Sequence, residues 1–346
     1  MDPFLESLAK HGLDVSSAAE AAQVTGWLST GNYALNWAVS GRFDRGWPLG
    51  HLVEIFGDYS TGKSFVVLRA IAEAQKAGGV ALLDDTEGAL NPDWAADQLE
   101  VDVNKLALRY SHTIKDHFDA VTAFVKAIED VKVTAPSVLA LDSLAMLTTE
   151  DELKKGLEKP SMTRAKEVRA MLRQLGKIIH DTPATYLIAN HEIANIGGFF
   201  KDKTTPGGGG VKYLATVRVE LRFPARIKRG EEIVGVLPTI FIEKNRLCSP
   251  WRQVKVAIPF HEPISPYSGL IPLLLDIGVL GESGRYLTVD GKKTSIYAQK
   301  TDFFKQDLAA IELMDAYPDL LDDPKVSQKE IVAAEERADN LQADNG

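Results

Sequence analysis

The chain has 346 residues, enough for about two domains and a sizeable core, and its hydrophobic fraction of 45% and charged fraction of 25% are those of an ordinary soluble globular protein. No apolar run is long enough to cross a bilayer, and the start MDPFLESLAKHG lacks the apolar stretch of a secretory signal. Cys248 is the single cysteine, which excludes an intramolecular disulfide or a cysteine-based zinc site. No membrane partner is expected, and a reducing cytoplasm is the expected compartment. The formal charge of -9 is uneven: from Thr301 to Gly346 twelve Asp and Glu stand against four Lys and Arg, a net of -8 that leaves about -1 for residues 1–300. The acid is therefore a terminal segment, either solvated or competing with an anionic ligand for basic patches.

Residues 1–25 hold a short amphipathic stretch (Phe4, Leu5, Leu8) and an alanine-rich segment, the make-up of a docking and oligomerisation arm. From Leu52 onward the apolar runs LVEIFG, VALLDD, VLALD and TYLIAN alternate with helical stretches, among them 63–76 and 163–180. This alternation predicts an α/β core with a mainly parallel central sheet. After a glycine run, VRVELRF and TIFIEKN read as antiparallel edge strands joined by the polar link ARIKRGEEIVGVLP. Proline and glycine cluster in HEPISPYSG, which sets a predicted boundary between a core over 26–262 and a small C-terminal domain over 263–346 that carries the acidic tail.

The stretch GDYSTGKS fits G-x-x-x-x-G-K-[ST] and lies between an apolar strand and a helix. Gly57, Asp58, Tyr59, Ser60, Thr61, Gly62, Lys63, Ser64 and Phe65 are thus a predicted phosphate loop. Its backbone amides cradle a triphosphate at a helix N-terminus, Lys63 reaches the β and γ phosphates, and the Ser64 hydroxyl ligates Mg²⁺. Asp142 ends a buried strand, where it can complete the Mg²⁺ shell directly or through water. Hydrolysis also needs a group that orients or deprotonates water. LLDDTEGALNP offers Asp84, Asp85 and Glu87, and spacing alone does not choose among them.

The segments STGNYALNWAV, GWPLGHLVEIFGDYSTGKS, DDTEGALNP, LALDS, LIANHEI, the glycine-rich loop with VKYLATVRVELR, and EKNR occur in one order over most of residues 26–260. In that order and spacing the chain resembles the RecA-type DNA recombinases. The short N-terminal arm and divergent C-terminal region are similar to phage members of the UvsX type. The resemblance implies a RecA-like P-loop core, with Glu87 as the catalytic carboxylate and Trp94 as the aromatic that stacks on adenine. His191 stands where bacterial RecA has a glutamine; in the family that position contacts the γ phosphate and passes the nucleotide state to a DNA-binding loop. A histidine can still donate there, with a charge that varies between pH 5 and 8. Lys244 and Arg246 alternate with Asn245 on a strand, and the resemblance makes them cations inserted into a neighbouring subunit's site.

That likeness gives the stretch GGFFKDKTTPGGGG a purpose. Lys201, Lys203 and Lys212 offer charge to phosphates, Phe199 or Phe200 offers a wedge or stack, and Gly207 and Gly208 let backbone approach backbone. Without the likeness it reads equally as an active-site lid or a connection. The resemblance makes it the second DNA loop, with Phe200 at the position of its aromatic, and makes the region around KKGLEKPSMTRAK the first, with Met162, Arg164 and Lys166 as candidates. Arg218, Arg222, Arg226, Lys228 and Arg229 are either a further DNA path or a solvated hairpin. The implied activity is DNA-stimulated ATP hydrolysis at subunit interfaces, by an ATP- and Mg²⁺-dependent recombinase that polymerises as a helical filament on single-stranded DNA. Homologous double-stranded DNA, further copies of the chain, and single-strand-binding and loader proteins are the implied partners. The alternative on the same fold is a helicase-like motor or a nucleotide-gated assembly switch.

Overall fold

The computed structural model describes residues 2–12, 24–155, 163–194, 203–204, 209–298 and 303–322. Helix Pro3–Lys10, capped by Asp2, buries none of its residues and leaves Phe4 exposed. Trp27–Leu28 (β1) and Trp47–Pro48 (β2) pair antiparallel on either side of helix Tyr33–Ser40. The principal strands are Leu52–Gly57 (β3), Ala81–Asp85 (β4), Leu106–Arg109 (β5), Ser137–Asp142 (β6) and Ala184–His191 (β7). A short pair, Ile193–Ala194 (β8) with Lys203–Thr204 (β9), follows. Val217–Arg229 (β10), Glu232–Asn245 (β11), Gln253–Lys255 (β12) and Ile258–Pro259 (β13) complete the main sheet.

Its order is β12-β11-β10-β3-β7-β6-β4-β5, with β13 also on β11. Strands β10, β3, β7, β6, β4 and β5 are mutually parallel, whereas β11 runs antiparallel to β10, β12 and β13. The predicted α/β class with antiparallel edge strands is therefore the observed one. One detail differs: the link ARIKRGEEIVGVLP is itself strand, because β10 and β11 continue to Arg229 and Glu232 as a long hairpin around Gly230. A register shift between Arg222 and Ala225 takes up Pro224, and another lies at Ile227/Lys228.

Strand parity divides the core in two. Val53, Ile55, Ala81, Leu83, Val138, Ala140, Leu187 and Ala189 face one cluster, packed against helix Lys63–Lys76. Leu52, Leu82, Leu139, Leu141, Tyr186 and Ile188 face the other, under helices Ile114–Val131 and Thr163–Ile179. With both faces covered, these strands read as unbroken apolar runs. Two helices begin at capping side chains: Asn91 for Pro92–Leu99, and a Thr113/Asp116 capping box for Ile114–Val131.

Beyond residue 262, helix Leu270–Asp276, the three-stranded sheet Leu280–Ser283 (β14), Tyr286–Val289 (β15) and Lys292–Tyr297 (β16), and helix Phe303–Ala316 follow. Their apolar residues, including Leu270, Leu287 and Leu313, join the same cluster as Val53 and Ile55. Asn32 links the two parts: its Oδ1 caps helix Tyr33–Ser40 at Leu35 N (2.9 Å), while Nδ2 donates to the carbonyls of Ser268 (2.9 Å) and Ser265 (3.2 Å). Asn32→Ala leaves a helix amide and two carbonyls without this partner. It is expected to lower unfolding stability by about 2 kcal/mol, read as a reduced denaturant midpoint.

Candidate functional site

Between β3 and helix Lys63–Lys76 the chain makes a turn that only glycine accommodates at its ends. A Cβ on Gly57 would lie 2.4 Å from the Leu221 carbonyl oxygen, and one on Gly62 (φ +97°) would lie 2.5 Å from Ile258 Cδ1. Inside the turn Thr61 is buried and its hydroxyl donates to the Asp58 carbonyl at 2.9 Å, while Asp58, Tyr59, Ser60 and Ser64 are exposed. Lys63 is buried and its Nζ donates to the carbonyls of Gly57 (3.1 Å) and Asp58 (2.7 Å). Burial lowers its ammonium pKa from the ordinary lysine value, a pull that Asp142 and Glu87 oppose.

Beside this loop is a cavity of about 270 Å³ lined by Ser64, Asp85 and Asp142 at its polar side and by Leu68, Leu83, Leu90 and Trp94 elsewhere. Trp94 is half-buried and meets Phe65 edge to face at 5.9 Å, so the phosphate-loop helix supports the predicted base-stacking ring. Asp142 carries a raised pKa, chiefly through burial and further through the charges of Glu87 and Asp85, against a hydrogen bond from Ser64. A carboxylate hydrogen-bonded to a serine hydroxyl is a pair of oxygens suited to Mg²⁺, which prefers one or two protein oxygens plus phosphates. No group of three or more His, Cys, Asp or Glu able to cage a metal occurs among the described residues.

Strand parity also separates the three acidic candidates. Asp85 faces the cavity and accepts from Leu90 N at 2.9 Å. Asp84 points to the opposite face, where it is fully buried against Ser111 and His117. Glu87, past the strand end, is held by two donors on one oxygen: Ser143 Oγ at 2.6 Å and His191 Nε2 at 2.8 Å. Burial pushes the Glu87 carboxyl up, but the Ser143 and His191 hydrogen bonds and the charges of His191 and Lys63 outweigh it, leaving the pKa below the ordinary value. Ser143 itself is fixed by a reciprocal pair with Thr86, amide to hydroxyl at 2.8 Å and hydroxyl to carbonyl at 2.7 Å. Ser143 and Thr86 are the residues that motif reading missed; the only signal was their adjacency to Asp142 and Glu87. Tyr59 packs its ring 5.5 Å from that of His191.

Met162, Phe199, Phe200, Lys201, Gly207 and Gly208 lie outside the described residues, and Lys203 is described only as backbone in β9. Lys166, Lys212, Arg226, Lys228 and Arg229 are exposed, with Lys212 3.5 Å from Glu243 and Arg229 3.7 Å from Glu262. Arg222 stacks on Phe241 (3.7 Å) and pairs with Glu220.

Arg164 and Arg218 are placed differently from the expected nucleic-acid contacts. Arg164 donates to the carbonyls of Leu144, Ala145 and Leu147, so its guanidinium holds the turn after Asp142. Arg218 is buried between β3 and β11, where it pairs with Glu54 (2.5 Å) and Glu243 and covers the Phe56 ring. Glu54 also accepts from Asn190, one residue before His191. A cation in the middle of a sheet must have such partners, and so Arg218 drops out of the expected basic path.

Lys244, in β11, and Arg246, just past its end, converge on the Tyr213 carbonyl. Lys244 Nζ donates to the carbonyls of Lys212 (2.8 Å), Tyr213 (3.0 Å) and Ala215 (2.7 Å), and Arg246 donates to Tyr213 (2.7 Å). Both thus cap the carboxyl end of helix Gly209–Leu214, which ends the glycine-rich segment.

The model of the RecA N-terminal domain family matches residues 10–265. The chain belongs to the RecA family. Among curated relatives, the RecA protein of Bacteroides thetaiotaomicron is 33% identical over 274 residues, 77% of this chain and 78% of that protein. The RecA of Corynebacterium efficiens is 31% identical over 80% of this chain and 70% of its own length, and that of Staphylococcus carnosus 33% over 72% and 68%. As a RecA-family member the chain falls within DNA recombination and repair, a family that binds ATP and DNA. No described helix is long and apolar enough to cross a membrane.

The raised Asp142 pKa has a consequence for stability. The folded chain holds this proton to higher pH than the unfolded chain, so stability falls as pH rises through the titration, and at neutral pH the charge is a net burden. Asp142→Asn is expected to leave the melting temperature of the nucleotide-free protein equal or higher at pH 7, and to abolish the added stabilisation by Mg²⁺ with nucleotide. Differential scanning fluorimetry with and without both ligands checks it.

Proposed function

We propose that this RecA-family chain is an ATP-dependent homologous recombinase that polymerises on single-stranded DNA, pairs it with homologous duplex and exchanges strands. The observation that carries the reading is the Glu87–His191 hydrogen bond. It joins the carboxylate that would orient water to the end of β7, from which the chain enters the aromatic, basic and glycine-rich stretch.

ATP binds along the phosphate loop with its base toward Trp94, and Ser64 and Asp142 are the residues that would hold Mg²⁺. Bound Mg²⁺ neutralises phosphate charge. Glu87, ionised at neutral pH, orients the attacking water, with Ser143 fixing its carboxylate. Lys63 leaves the loop carbonyls to meet the phosphates. Lys244 and Arg246 of a neighbouring copy complete the site, so hydrolysis follows filament assembly. Because the same two cations cap the helix that ends the DNA-binding stretch, reaching across releases that helix. Lys166, Lys212, Arg226 and Lys228 supply phosphate contacts of the kind that tolerates any base sequence.

The deciding experiment measures ATP turnover with and without single-stranded DNA while the same mixture is imaged. Stimulation together with filaments is expected; full-speed turnover by monomers indifferent to DNA refutes the reading. Glu87→Gln is expected to keep nucleotide and DNA bound while reducing turnover at least 100-fold, the order seen when a group acting in the transition state is removed. Lys244→Ala with Arg246→Ala is expected to retain nucleotide binding by single subunits and lose DNA-stimulated turnover.

The pH profile supplies a separate check. Glu87 is ionised below the ordinary carboxylate range because donors hold it there, so activity persists on moderate acidification and falls as pH drops through its depressed value. His191→Ala removes one of those donors and is expected to move the acid limb of kcat to higher pH. An unmoved limb would exclude Glu87 as the titrating group.

A further inference from the structure

Asp84, His117 and Tyr186 take no part in the site described above, yet each is fully buried and together they form one chain of hydrogen bonds beneath the sheet. Asp84 Oδ2 accepts from His117 Nδ1 at 2.7 Å, and His117 Nε2 meets the Tyr186 hydroxyl at 2.5 Å. With Nδ1 donating to the carboxylate, Nε2 is left to accept the tyrosine proton. The other Asp84 oxygen accepts from Ser111 N at 2.8 Å. Burial pushes the Asp84 carboxyl up, but the His117 and Ser111 hydrogen bonds bring it below its ordinary value, and burial raises the Tyr186 phenol well above its own. The surroundings are apolar: Leu82, Leu139, Leu141 and Ile188 occupy the same layer. A carboxylate there is disfavoured unless fully bonded, so a polar chain in this layer calls for a reason beyond packing.

Its position supplies one. Strands β4 and β7 are not neighbours, since β6 lies between them. The chain runs from β4 through helix Ile114–Val131 to β7, passing beneath β6. Three residues after Asp84 comes Glu87, and five after Tyr186 comes His191, which meet above the strand ends at 2.8 Å. The two strands are therefore tied twice, once at the rim and once below. The Ser111 end also reaches the segment after β6: the His112 carbonyl accepts from Thr148 N (3.1 Å), Ile114 N donates to the Thr148 carbonyl (2.9 Å), and helix Glu150–Lys155 begins just after.

We propose that Asp84, His117 and Tyr186 are positioning residues: their buried chain fixes β4 against β7 and so keeps Glu87 and His191 in contact, and loosening it slows turnover without weakening nucleotide binding. This rests on the reading of Glu87 as the carboxylate that orients water.

The test uses the full chain with single-stranded DNA, comparing kcat, KM for ATP, affinity for a non-hydrolysable ATP analogue, and melting temperature. Tyr186→Phe removes one hydroxyl without changing shape. It is expected to lower kcat about five-fold, the equivalent of one net hydrogen bond, with analogue affinity within about two-fold of the parent. His117→Leu breaks both links and is expected to lower kcat further, whereas His117→Gln, whose amide can donate to Asp84 and accept from Tyr186, is expected to restore part of it. Unchanged kcat in Tyr186→Phe and His117→Leu overturns the proposal. So does a loss that merely tracks the fraction of protein able to bind the analogue, because the chain would then serve only the fold. Glu87→Gln, assayed in parallel, separates the two ideas: normal turnover there removes the reading of Glu87, while a dead Glu87→Gln beside a fully active His117→Leu removes only the positioning role.

Discussion

A parallel sheet buried on both faces leaves polar side chains little room to converge except past the carboxyl ends of its strands. The candidate site follows from that restriction. Strands β3, β4, β6 and β7 end at Gly57, Asp85, Asp142 and His191, and these four ends bring together the phosphate loop, the carboxylates and the histidine. In the ladder Gly57 lies opposite His191 and Asp85 opposite Asp142, so residues from remote parts of the chain are set side by side by backbone hydrogen bonds alone.

The same restriction explains where charge is tolerated inside. Arg218, Glu54, Glu243 and Asn190 make one connected set across β10, β3, β11 and β7, while Asp84, His117 and Tyr186 make another on the same face of the sheet. Each set satisfies its members internally, which is the condition for a buried polar group to persist. Both also bear on β7 just before His191. The histidine is thus anchored from below by Asn190, whose Oδ1 accepts the His191 amide at 3.1 Å, and from the side by Glu87.

At the far edge of the sheet, Lys244 and Arg246 occupy the carboxyl end of helix Gly209–Leu214. Cations are favoured at helix C-termini, where carbonyls lack intrahelical partners. An anion offering stronger charge-assisted bonds competes for those cations. In the proposed recombinase that anion is the neighbour's nucleotide, and the helix losing its cap belongs to the segment that grips DNA.

Much of this was legible in residue order. The pattern GDYSTGKS between strand and helix placed the phosphate loop, apolar runs with intervening helices placed the parallel sheet, and the ordered set of motifs placed the family. Those signals are local, because turn chemistry and periodicity are properties of neighbouring residues. Spacing alone could not choose among Asp84, Asp85 and Glu87, and only the family likeness pointed to Glu87, since which face each residue takes is decided by what packs on either side of β4. Arg164 and Arg218 looked like nucleic-acid contacts for the same reason: charge is visible in a sequence, but its neutralisation by Glu54, Glu243 or three carbonyls is not. The amino-acid order by itself determined the fold class, the glycine-flanked turn proposed as the phosphate loop, and the family. Tertiary structure decided which side of the sheet each acidic side chain takes and which cations are already engaged, because those outcomes depend on contacts between residues far apart in the chain.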